Sequence, residues 1–81
     1  MNISYIISKR VREILKDKEL TQYQLEMLSG ISHSTISCLM NNRYNAVNLK
    51  TLFIIIQALN ITVLEFFDNP LFLNLDNIHL D

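Results

Sequence analysis

His33, Ser34, Thr35, Ser37, Cys38 and Asn41 bring an imidazole, three hydroxyls, a thiol and an amide into one short stretch of an 81-residue chain. Such groups could serve as nucleophile and base, as metal ligands, or as a hydrogen-bonding surface. On a helix turning about 100° per residue, His33 and Cys38 lie about 140° apart, which excludes a catalytic dyad on that helix. Nothing beside Cys38 supplies a base to activate its thiol, so a redox sensor is disfavoured. His33, Cys38 and His79 lack the spacing of a metal site. No enzyme and no cofactor is therefore expected. A surface of small polar groups remains.

The elements that must position this surface follow from capping and periodicity. A helix over 33–41 turns Ile36, Leu39 and Met40 inward and Ser34, Ser37, Cys38 and Asn41 outward, with His33 near the boundary. Before it, Ser29-Gly30-Ile31-Ser32 is the whole connection to a preceding helix. Gly30, the sole glycine, can take the positive φ a sharp corner needs, and Ile31 follows as an apolar plug. Two short helices joined by such a turn make a helix-turn-helix. One pattern starts four helices: a polar cap, an apolar residue before it and another four after it. Thr21 with Gln24 and Thr62 with Glu65 form capping boxes, while Ser32 and Asn48 are simple caps. Leu20/Leu25, Ile31/Ile36, Val47/Leu52 and Ile61/Phe66 are the matching staples. Earlier, Ile3, Ile6, Ile7, Val11, Ile14 and Leu15 recur at helical period. The expectation is all-α: five helices over 4–18, 22–29, 33–41, 49–59 and 63–68. One glycine and one proline exclude a turn-rich β fold.

A chain this short buries about 60–65% of its unfolded surface and holds one domain. One cysteine implies no disulfide and a reducing compartment. The longest apolar run, Leu52–Ile56, is far too short to span a membrane, and the N-terminus, with Asn2 and Ser4 and no early basic cluster, does not read as a secretory signal. The expected location is the cytoplasm. Net charge is −1, unhelpful at first sight for a nucleic-acid binder, but it is unevenly spread. Residues 1–26 carry +1, residues 27–64 contain no acid and carry +2, and residues 65–81 carry −4. An acid-free surface is what approach to phosphates requires, and a small polar face can enter a major groove without steric or charge penalty.

The stretch LTQYQLEMLSGISHSTISCLMNN resembles the helix-turn-helix of the Cro and lambda-repressor-like family, also called the xenobiotic response element family. The resemblance extends through NLKTLFIIIQALNITVLEFFD and covers roughly residues 4–68. It implies sequence-specific binding to double-stranded DNA at a pseudo-palindromic operator, as a homodimeric transcriptional regulator, with repression expected. At matching positions, it implies base contacts from His33, Ser34, Ser37 and Cys38. Gln22, Thr35, Asn41, Arg43, Tyr44 and Lys50 would contact phosphates. His33 and Ser34 are expected to carry most of the sequence readout, each worth about 1–3 kcal/mol to a specific contact.

The chain departs from the family pattern at several positions. Glu26 stands where a small residue is usual, so its stem must pack while its carboxylate escapes to water. Glu19 and Asn42 stand where glycine is frequent. Leu15 and Met40 occupy positions that many members give to an Arg–Glu pair, and an apolar pair can replace it without loss.

Helix four is expected to face inward through Leu49, Leu52, Phe53, Ile56 and Leu59, with Ile54 off that stripe. Residues 1–69 then form the DNA-binding domain and 70–81 an arm or tail. Leu71, Leu73 and Leu75 alternate with Phe72, Asn74 and Asp76, a period of two that suggests an extended arm. It could reach a second subunit or fold back on its own core. No small-molecule ligand or membrane is implied. The alternative function is a protein-interaction module using this fold without DNA, motivated by the net charge and the acidic C-terminus.

Overall fold

The computed structural model describes residues 3–41 and 48–73. It contains five α-helices: α1 (Ile3–Asp17), α2 (Gln22–Ser29), α3 (His33–Met40), α4 (Leu49–Ala58) and α5 (Val63–Phe67), then a 3-10 turn at Pro70–Phe72. No strand occurs among the described residues. The all-α expectation holds, with each helix boundary within one residue of its expected place. No described helix is long and apolar enough to cross a membrane.

The core is one cluster to which every helix contributes. Ile7, Val11, Ile14 and Leu15 of α1 meet Leu25 of α2, Ile36, Leu39 and Met40 of α3, Leu52, Ile55 and Ile56 of α4, then Leu59 and Phe66. Leu15 and Met40 are thus both core residues, as an apolar replacement for an ion pair requires. Helix α4 corrects the expected stripe. Leu52, Ile56 and Leu59 are buried, but Leu49 and Phe53 are exposed and Ile55 takes the inward place. The buried arc is rotated toward Ile55 because α4 packs mainly against α2 on one side and α5 beyond it.

Two of the interhelical corners are built alike. Glu19 (φ +56°) follows α1 and Asn60 (φ +58°) follows α4, each in the left-handed region. Glu19 N–H donates to Lys16 O (3.1 Å) and Leu20 N–H to Leu15 O (2.8 Å). Asn60 N–H donates to Gln57 O (3.0 Å) and Ile61 N–H to Ile56 O (3.4 Å). These are Schellman closures, which satisfy the carbonyls a helix end leaves unpaired. Each leads directly into a capping box, Thr21 with Gln24 and Thr62 with Glu65. Leu20 and Ile61, the apolar residues between closure and cap, pack on the core.

Two arginines of α1 tie down the far ends of other helices. Arg10 Nε donates to Phe66 O (2.6 Å) and its Nη2 to Glu65 O (2.7 Å), at the C-terminal end of α5. Arg12 Nη2 donates to Met40 O, the last residue of α3. A cation at a helix C-terminus both satisfies orphan carbonyls and complements the helix dipole.

The extended arm expected after α5 does not form over its first residues. Asn69 caps Leu71 N–H through its Oδ1 (2.9 Å), Pro70 opens the 3-10 turn, and Asn69 Nδ2 donates to Glu13 Oε1 (3.2 Å). Phe72 packs on the core and stacks edge-on against Phe67, centroids 4.9 Å apart. Residues 70–72 therefore fold back, because proline with an asparagine cap starts a turn and Phe72 finds an aromatic partner. Residues 74–81, including Leu75, Asp76 and His79, lie outside the described residues.

Candidate nucleic-acid interface

The turn between α2 and α3 is set by Gly30. Its φ is +71°, and its N–H donates to Glu26 O (3.0 Å). A Cβ added there would meet nothing within 4 Å, so the demand for glycine comes from backbone conformation alone. Ile31 then packs on the core, and its N–H donates to Ser29 Oγ (3.2 Å). Ser32 starts α3: its Oγ accepts from Thr35 N–H (3.3 Å), lies 3.0 Å from Thr35 Oγ1 and 3.3 Å from Ser34 Oγ. The hydroxyls of 32, 34 and 35 form one small cluster over the first turn.

Below that turn α3 divides as its periodicity predicts. Ile36, Leu39 and Met40 are buried, His33, Ser34 and Asn41 are exposed, and Thr35, Ser37 and Cys38 are half-buried. Cys38 is a free thiol. Asn41 folds back along the helix, its Nδ2 donating to Ser37 O (2.9 Å) and Ser37 Oγ (3.1 Å). The helix itself carries no acid in its first turn and no base in its last.

The sequence-predicted residues fall into groups. Ser34 and Thr35 share the Ser32 hydroxyl, while Ser37 and Asn41 bond each other. Gln22 and His33 converge on a third side chain, that of Glu26. Glu26 Oε2 is 2.8 Å from His33 Nδ1 and 3.5 Å from Gln22 Nε2. Lys50 stands apart on α4, exposed in its first turn, with its N–H donating to the Asn48 cap (2.9 Å). Arg43 and Tyr44 lie outside the described residues.

The Glu26 carboxylate does not escape to water as expected. Its side chain is only 12% exposed, against 75% for His33. The reason is local: two donors, one from each helix of the motif, satisfy it against the α2–α3 corner. The acid-free window of the sequence is therefore not acid-free in space, since a carboxylate sits at the first residue of α3. Sequence reasoning also missed Arg12, which ends α3 through a backbone carbonyl. A hint for Glu26 existed in its own oddity, a large acid at a close helix crossing followed by a histidine opening the next helix. Among the described residues no group of three or more His, Cys, Asp or Glu could hold a metal ion.

No curated protein and no solved structure matches the chain. A family model for the Cro/C1-type HTH DNA-binding domain matches residues 10–69, which takes in both α1 arginines, the Gly30 corner, all of α3 and the whole of α5. The match spans well over half of the chain, and the chain belongs to the Cro/C1-type helix-turn-helix family of DNA-binding domains.

Proposed function

We propose that the chain binds double-stranded DNA sequence-specifically as a homodimer and regulates transcription, acting as a repressor by occluding a promoter. The observation that carries this reading is the outward face of α3. It is a row of small polar side chains on a helix whose two ends are fixed by the Gly30 corner and by Arg12. His33 and Ser34 reach base edges at the first turn, with Ser37 and Cys38 further along the groove. Gln22, Thr35, Asn41 and Lys50 meet phosphates on either side, joined by Arg43 and Tyr44 beyond α3. Phosphate contacts set orientation while base contacts set sequence. The site of action is the nucleoid of a bacterial or phage-infected cell.

Homodimerisation is supported by apolar side chains that the domain leaves outward near its C-terminal end. Leu64 is 82% and Leu73 78% exposed. A second copy covering them would let two α3 helices meet half-sites about 34 Å apart. In this reading residues 1–69 bind DNA and residues 70–81 add to the dimer contact.

The test is the salt dependence of binding to a duplex recovered by random-site selection. Each neutralised phosphate contributes about −0.9 to the slope of log affinity against log salt. A dimer with several contacts per subunit gives a steep line. Absence of binding to any duplex at low salt overturns the proposal and favours a protein-interaction module, the reading that the −1 net charge motivates. Solution mass of a chain lacking residues 70–81 tests the tail: an unchanged dimer removes it from the contact.

A further inference from the structure

Glu26 joins the two side chains best placed to touch DNA from different helices. Its Oε2 lies 2.8 Å from His33 Nδ1, a short and well-formed bond, while the 75% exposed imidazole projects its other edge into solvent. A carboxylate can only accept, so the hydrogen of this bond resides on Nδ1. A neutral imidazole with hydrogen on Nδ1 presents Nε2 as a bare acceptor, and the partner of one nitrogen thereby decides what the other can recognise. We infer that Glu26 is a specificity-determining positioning residue: it fixes the Nδ1–H tautomer of the neutral His33 ring, so that in this form Nε2 accepts from an exocyclic amino group in the major groove, adenine N6 or cytosine N4. The inference rests on the reading of α3 as the groove-facing helix.

The base edges make this selective. Adenine and cytosine each offer an amino donor in the major groove, whereas guanine offers only N7 and O6 acceptors and thymine only O4 and a methyl group. Neutral His33 with a bare Nε2 meets guanine or thymine acceptor to acceptor. The opposite tautomer, Nε2–H, would invert the preference. Gln22 adds to the device from the other side of the carboxylate: its Nε2, 3.5 Å from the same Oε2, helps to hold Glu26 in place.

Two measurements test the inference. Long-range 1H–15N spectra of the 15N-labelled free protein report the tautomer directly, at a pH where the ring nitrogen shifts show neutral imidazole. His33→Gln identifies which of the two histidine signals belongs to His33. The expected result is Nδ1–H in the wild type, and a swing to Nε2–H, the form histidine favours in water, in Glu26→Ala. Alanine suits a close helix crossing, and Glu26→Gln, whose amide can donate as well as accept, should loosen the tautomer preference rather than keep it. In the second arm, at the same pH at which the spectra show neutral imidazole, wild type and Glu26→Ala each select from a randomised duplex pool. One position per half-site should be restricted to adenine or cytosine in the wild type and lose tenfold or more of that discrimination in Glu26→Ala. Other positions should be unchanged. An Nε2–H ring in the wild type, or an unaltered base preference in Glu26→Ala, overturns the inference. Failure of the wild type to bind any duplex would instead overturn the DNA reading, and the tautomer is measured independently of it.

Discussion

Replacing Arg10 by methionine keeps most of the aliphatic stem and removes every donor. In the native fold Arg10 makes two bonds to α5 carbonyls, at 2.6 Å to Phe66 O and 2.7 Å to Glu65 O. It also lies 3.7 Å from Glu13 Oε1, with its guanidinium 5.9 Å from the centre of the Phe66 ring. A hydrogen bond from a charged donor is worth about 1.5–3 kcal/mol when sheltered. The Phe66 bond is part-buried and takes that value, whereas the Glu65 bond is exposed and contributes little. The Glu13 pair, with the glutamate 42% exposed, adds at most about 0.5 kcal/mol. The ring contact adds about 0.5–1 kcal/mol. The expected loss is about 3 kcal/mol, from a total stability of order 4–12 kcal/mol for a domain this size. With a urea slope of about 1–1.5 kcal/mol per M, the unfolding midpoint should fall by about 2 M. Arg10→Lys should recover less than half of this, since an ammonium lacks the planar fork that spans two carbonyls. Helix α5 has five residues and cannot persist alone, so its amides should lose exchange protection first. A midpoint within about 0.3 M of wild type in both variants would refute the view that Arg10 holds α5 in place.

Other substitutions probe single features. Gly30→Ala should cost about 1 kcal/mol in urea unfolding, because the left-handed φ of +71° penalises a Cβ that would meet no neighbour. Glu19→Gly should stabilise by about 0.5 kcal/mol, relief of a left-handed glutamate outweighing the added freedom of the unfolded chain. Thr21→Ala removes the hydroxyl that accepts Gln24 N–H at 3.1 Å and should cost about 1 kcal/mol by thermal unfolding. Phe66→Ala empties the centre of the core, where the ring is fully buried, and should cost about 3–5 kcal/mol, read as the largest fall in unfolding midpoint of the set by circular dichroism.

Capping chemistry carried the fold into the sequence more clearly than hydrophobic pattern did. Thr21 with Gln24, and Thr62 with Glu65, are local devices whose partners sit three residues away, and both boxes form. The stripe of α4 was less legible. Seven of its ten residues are aliphatic or aromatic, so periodicity alone could not tell Phe53, which faces out, from Ile55, which faces in. After α5 the alternation of Leu71 and Leu73 imitated a strand, while the Asn69-Pro70 pair, a cap before a helix-starting proline, held the better clue. In the interface, the outward face of α3 followed from angle counting. The Glu26–His33 bond did not, since residues seven apart meet only through the geometry of the Gly30 corner. Arg10 and Arg12 look like surface charge in the sequence because their partners are carbonyls, which every residue owns and no sequence marks.

The position of Arg10 and Phe66 at opposite ends of the domain has a consequence for synthesis. Their bond spans 56 positions of the chain, and the Phe66 ring fills the middle of the core. A ribosome adding about 5–20 residues per second needs roughly 3–11 s to make the second partner after the first. Through that interval α1 exposes an apolar face and a guanidinium without its carbonyls. The helix-turn-helix is complete in sequence by Asn41, yet the core beneath it lacks the Phe66 ring until α5 is made, so α5 supplies the closing piece of the core.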